Sequence, residues 1–209
     1  MTRTTTRLTG LTAALLTGAL VLTGCADDTD AAGHGSMMNG SSSSAGPSAA
    51  QGEFNDADVA FAREMIGHHR QAIAMAELAE GRTAEPRVLD LAARIRAAQG
   101  PEIETMSGWL QEWGADGSHM DDGMGGMGHG EGGMMSPDDM HALMSAAGPE
   151  FDRLFLSGMI VHHQGAVEMA AELSANGRNA EALALAGSIR DSQNAEIAEM
   201  EQLLTELGG

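Results

Sequence analysis

Set against itself with an offset of 94 residues, the sequence superposes without a gap. Asp58, Phe61, Met65, Ile66, His68, His69, Ala72, Met75 and Ala76 meet Asp152, Phe155, Met159, Ile160, His162, His163, Ala166, Met169 and Ala170. Further on, Leu89, Leu91, Ala92, Ile95, Arg96, Gln99, Glu102, Ile103, Met106 and Leu110 meet Leu183, Leu185, Ala186, Ile189, Arg190, Gln193, Glu196, Ile197, Met200 and Leu204. One unit of two helices therefore occurs twice. Two helices cannot bury their own apolar stripe, so the copies have to pack on each other, and a pseudo-twofold axis is expected.

Breaker residues set the helix limits. Asn55 or Asp56 can cap the first helix and Gly81 stops it; the second spans about Ala84 to Trp113 and stops at Gly114. Gly148-Pro149 opens the third, with proline in a tolerated first turn, and Asn176-Gly177 ends it. Asn179 can cap the fourth, which Gly208 closes. Pro101 stands inside the second helix where the other copy has Ala195, and a bend is expected there. No alternating apolar run suggests a strand. The fold class is all-α, an antiparallel four-helix bundle made of two repeated helix pairs: 54–114 and 148–209, with an insert at 115–147.

At about 100° per residue, Met65, His68, His69, Ala72, Met75 and Ala76 share the core face of the first helix with Phe61. On the second helix Gln99 and Glu102 interrupt a stripe of Leu91, Ile95 and Met106, as Gln193 and Glu196 do in the other copy. A buried imidazole needs a partner and so does a buried carboxylate, so a polar layer of four histidines, two glutamates and two glutamines is expected. Such a layer can be a network that fixes helix register, or a metal site in which His68, His69, His162, His163, Glu102 and Glu196 are candidate ligands. Methionine in a core is ordinarily packing, which is the plain account of Met65, Met75, Met106, Met159, Met169 and Met200.

The insert differs. Residues 118–135 read SHMDDGMGGMGHGEGGMM, placing Met120, Met124, Met127, Met134 and Met135 with His119 and His129 among glycines. Glycine at this density builds neither core nor stable helix, so these thioethers are expected to face solvent rather than pack. Thioether and imidazole together select copper, Cu(I) above all; zinc rarely takes methionine, and Mg²⁺ and Ca²⁺ want oxygen. The carboxylates of Asp121, Asp122 and Glu131 could help hold Cu(II). A low-complexity linker with chance methionines is the alternative.

The chain start reads as processing rather than fold. Arg3 and Arg7 precede a short apolar run, Leu8–Leu22, which closes on LTGC with Cys25 as the chain's one cysteine. This resembles the lipobox of bacterial lipoproteins, whose cysteine is lipidated. Residues 1–25 are thus expected to be a lipoprotein signal and residues 26–53 a flexible Ser/Gly tether, leaving 54–209 as the folded domain. The expected place is the extracytoplasmic face of the cell membrane, with membrane contact through the lipid anchor alone. There are 30 acidic against 11 basic residues, for a net charge of -19. That balance excludes nucleic acid as a partner and suits a metal cation.

The doubled Met-Ile-x-His-His of FAREMIGHHRQAIAMA, with IRAAQGPEIETMSGWL and the second-copy counterparts, resembles the bacterial family called domain of unknown function 305, over about residues 54–208. The resemblance implies a ferritin-like four-helix bundle, often secreted or lipid-anchored, with some members implicated in copper binding and resistance. It marks His68, His69, His162 and His163 as the family's histidine pairs, and Met65, Met75, Met159 and Met169 as its methionines. The insert is not part of its motif. The expected function is a non-enzymatic, copper-binding envelope lipoprotein that sequesters copper or hands it to a protein partner. One rival is a ferritin-like oxidase with a dinuclear metal site, but neither repeat contains the Glu-x-x-His such sites use. Another is a structural module whose polar layer only specifies the bundle.

Overall fold

A computed structural model describes residues 52–115 and 131–208. The expected signal segment with Cys25, nearly all of the tether, and His119, Met120, Met124, Met127 and His129 lie outside the described residues. The described part is helical: α1 Asp56–Glu77, α2 Pro86–Glu112, α3 Pro137–Ser145, α4 Pro149–Asn176 and α5 Ala180–Leu207, with one 3₁₀ turn at Glu131–Gly133. Among the described residues no helix is long and apolar enough to cross a membrane.

The four long helices are those of the repeat. Asn55 caps α1 through a capping box with Asp58, and Asn179 caps α5 by accepting from the amides of Glu181 and Ala182. Gly148, at φ 61°, turns the chain into α4, and Gly208, at φ 81°, ends α5 in the left-handed conformation. Helix α2 runs on through Pro101, and the Thr105 hydroxyl donates to the Pro101 carbonyl. Helix α3 was not foreseen within the insert. Its signals are nonetheless regular: Ser136 as cap, Pro137 at the first position, and Asp138 and Asp139 in the first turn.

Helix α1 packs on α2, α4 on α5, and the two pairs meet through α1 and α4. The core is divided. One apolar cluster holds Ala72, Met75, Leu91, Ile95, Phe155, Met159 and Met200, and the other holds Phe61, Met65, Met106, Ala166, Ala170 and Ile189. On every long helix the residues between these two sets are the polar ones: His68 and His69, Gln99 and Glu102, His162 and His163, Gln193 and Glu196. The polar layer expected from the repeat thus lies across the middle of the bundle, with apolar packing above and below.

One buried carboxylate helps to tie the halves together. Asp58 is fully buried and accepts from the backbone amides of Asn55 at 2.8 Å and of Arg178 and Asn179 at 3.1 Å. The start of α1 is thereby fastened to the tight turn between α4 and α5. Its counterpart Asp152 is also buried, but one of its carboxylate oxygens has no hydrogen-bond partner.

Candidate metal centre

Each copy contributes one histidine–glutamate pair. His69 Nε2 lies 2.7 Å from Glu102 Oε2, and His163 Nε2 lies 2.6 Å from Glu196 Oε2. The imidazoles are fully buried, while the glutamates reach the surface with 19 % and 15 % of their side chains exposed. Between these pairs the other two histidines meet across the interface of the repeats: the rings of His68 and His162 are 3.7 Å apart between centroids, tilted by 39°. His68 Nε2 donates to the Gly132 carbonyl at 3.0 Å. The histidines thus form two His–Glu pairs flanking one His–His contact.

Partners settle the tautomers. A carbonyl or a carboxylate can only accept, so Nε2 carries the proton in His68, His69 and His163. Their Nδ1 atoms are buried without any hydrogen-bond partner, as are both ring nitrogens of His162 and the side-chain oxygens of Gln99 and Gln193. Burial also keeps the central pair uncharged. It pushes the His68 pKa down to about 4, the Gly132 hydrogen bond opposing it and the neighbouring His69 and His163 adding to it. The same burial, aided by His68, His163 and His69, holds His162 well below the usual histidine range. At neutral pH both rings are neutral and keep a lone pair.

So many orphaned polar atoms in one layer need an account, because each buried unsatisfied polar atom costs on the order of 1–3 kcal/mol. An imidazole whose N–H is held by a carboxylate or carbonyl, leaving the second nitrogen without a partner, is the arrangement of metal-bound histidine. The donor set therefore fits a transition metal. Yet among the described residues no three His, Cys, Asp or Glu side chains converge as they would around one ion.

The methionines separate by position. Met65, Met75 and Met159 are fully buried in the apolar clusters, as are Met106 and Met200. Met169 is only partly buried and lines an open cleft with His68 and Met134.

The C-terminal end of the insert corrects the expectation that it faces solvent. Gly132 and Gly133 lie backbone to backbone on α4 at Gly165, where a Cβ would stand 1.8 Å from the Gly132 oxygen. Gly133 adopts φ 76° beneath the Val161 carbonyl. The Gln71 side-chain amide then clamps Met135, accepting from its N–H at 2.7 Å and donating to its carbonyl at 2.9 Å. Met135 packs against the first apolar cluster. Close backbone approach, which glycine alone permits, brings this stretch down onto the bundle. A signal was present in the sequence: Gln71 and Gly165 occupy the same repeat position within otherwise matched segments. One side chain holds the insert, and the missing side chain opposite makes room for it.

The family model described as domain of unknown function (DUF305) matches residues 58–204. The structure of a DUF305 protein from Streptomyces coelicolor is 33 % identical, covering 73 % of this chain and 93 % of that one with a TM-score of 0.67. A DUF305 fragment from Deinococcus radiodurans is 29 % identical, covering 73 % and 97 % at a TM-score of 0.65. CopM in its Cu(I)-bound form is 34 % identical, covering 73 % and 98 % at a TM-score of 0.58. CopM has also been solved in Cu(II)-bound and silver-bound forms. No curated protein matches the chain.

Proposed function

This chain belongs to the DUF305 family, and from that premise we propose that it binds copper at the cell envelope, sequestering the ion or handing it to a protein partner without catalysing a reaction. One observation carries the reading: His68, His69 and His163 each have Nε2 held by an oxygen while Nδ1 is left without a partner in a buried layer. Neutral imidazole with thioether nearby is a donor set for copper, Cu(I) in particular. The likeness to CopM supports the same ion. The layer would hold the metal through His68, His69, His162 and His163, with Glu102 and Glu196 orienting two of them. Met120, Met124 and Met127, with His119 and His129, form a second candidate set in the insert.

A second reading, in which the layer only fixes helix register, has one observation in its favour: no three of its groups converge on one point. A competition titration of the full chain against a Cu(I) chelator separates the two. We expect His68→Asn/His162→Asn to lower Cu(I) affinity at least tenfold while Met120→Leu/Met124→Leu/Met127→Leu lowers stoichiometry with no change in melting temperature. Copper binding unchanged in both variants would leave the register reading standing.

The place of action rests on Cys25. With lipidation at this residue the protein is tethered outside the membrane, and Cys25→Ser is expected to move it from the membrane fraction to the soluble fraction. A Cys25→Ser protein that still sediments with membranes would sink the lipoprotein reading.

A further inference from the structure

Where the insert comes down on α4 it leaves an open cleft of about 580 Å³. His68 lines it together with Met134 from the insert and Met169 from α4, and Glu64, Glu168 and Glu172 stand around it. Among the described residues the one cationic side chain there, Arg63, has its guanidinium turned to the Ala115 carbonyl at 2.6 Å. The cleft thus combines two thioethers, an imidazole and three carboxylates.

None of this follows from the repeat alone. Met169 has a counterpart in Met75, but Met75 is sealed in the core, whereas Met169 is partly open to the cleft. Met134 comes from the insert and has no repeat counterpart. It is set beside the cleft by the Gly132–Gly133 docking on Gly165 and by the Gln71 clamp on Met135. The Gly132 carbonyl also holds the Nε2–H of His68, and the His162 ring tilted against His68 has no partner on either nitrogen.

The geometry points to a binding site for a soft monovalent cation in this cleft, with Cu(I) taken by the thioethers of Met134 and Met169 beside the His68 imidazole. The inference rests on the copper reading above and extends it: the cleft is the mouth through which the ion reaches the buried histidine layer. Thioethers are neutral, soft donors and hold Cu(I) against harder competitors. The surrounding carboxylates raise the local concentration of cations without themselves preferring the soft ion. The docked end of the insert is therefore part of the site, and Gly132 is a positioning residue for His68.

The test is a Cu(I) titration of the full chain followed by NMR of the methionine ε-methyl groups and histidine rings, assigned with single Met→Leu variants. Met134 and Met169 are expected to shift in the same step as His68. Gly165→Ala keeps α4 helical but puts a Cβ where the Gly132 oxygen lies, so in that variant Met134 should no longer shift together with Met169. Met134→Leu/Met169→Leu is expected to slow loading of the histidine layer at least tenfold, with an unchanged melting temperature because the swap conserves volume. Met134 and Met169 that stay unmoved, or move in separate steps, while other methionines or histidines respond would overturn the cleft site and leave copper binding intact. A chain in which no methionine or histidine responds to Cu(I) would overturn the copper reading itself.

Discussion

Acidification from pH 6.5 to pH 4 is expected to cost the folded state about 3 kcal/mol through His68 alone, with a further loss in the same direction through His162. The sign follows from where each state binds protons. In the unfolded chain these imidazoles protonate near pH 6.5; in the folded chain His68 does so only near pH 4, and His162 well below its ordinary range. Between those values the unfolded state holds more protons, so stability is complete above about pH 6.5 and is lost as pH falls toward 4. The cause is burial, with the other imidazoles of the layer opposing a further positive charge. Chemical denaturation at half-unit pH steps, for wild type and for His68→Gln/His162→Gln, isolates the effect. The variant should be less stable at neutral pH yet show a flatter profile. Parallel profiles would mean that these rings are not held neutral by the fold.

Asp58→Ala is expected to cost about 3–5 kcal/mol, because hydrogen bonds to a charged acceptor are worth about 1.5–3 kcal/mol each and three amide donors, that of Asn179 buried and the other two part-buried, lose theirs together. Two of the three, on Arg178 and Asn179, belong to the turn between α4 and α5, so the substitution loosens the joint between the copies as well as the start of α1. Asp152→Ala, at the equivalent position in the other copy, should cost about 1 kcal/mol, since one of its oxygens has no hydrogen-bond partner. Thermal melts of the two variants make the comparison. Equal losses would show that Asp58 does not carry the joint.

Much of the site could be read before any coordinates, for a definite reason. Helix periodicity fixes which residues share a face, so His68, His69, Gln99 and Glu102 had to lie on core-facing stripes, and the repeat required the same of His162, His163, Gln193 and Glu196. Buried imidazole and carboxylate need partners, and the layer followed. Which partner each would take did not follow. His69 and His163 find glutamates on the neighbouring helix of their own copy, whereas His68 and His162 find each other, and that depends on how α1 and α4 cross. The insert departs from the sequence expectation where it meets the bundle. Glycine density argued correctly against core at Gly132 and Gly133, but glycine also removes the side chains that keep backbones apart.

What the sequence determined by itself is therefore the repeated helix pair, the face each polar residue occupies, and the caps that start and stop α1, α4 and α5. These are local properties, set by backbone preference and by apolar spacing along one helix. Only the tertiary structure decided that the two copies are unequal in use: that Asp58 is satisfied and Asp152 is not, that Met169 opens on a cleft while Met75 is sealed, and that Gly132 reaches His68. Those differences arise from contacts between residues about 30 to 120 positions apart, where one close backbone approach, at Gly165, selects what the insert can touch.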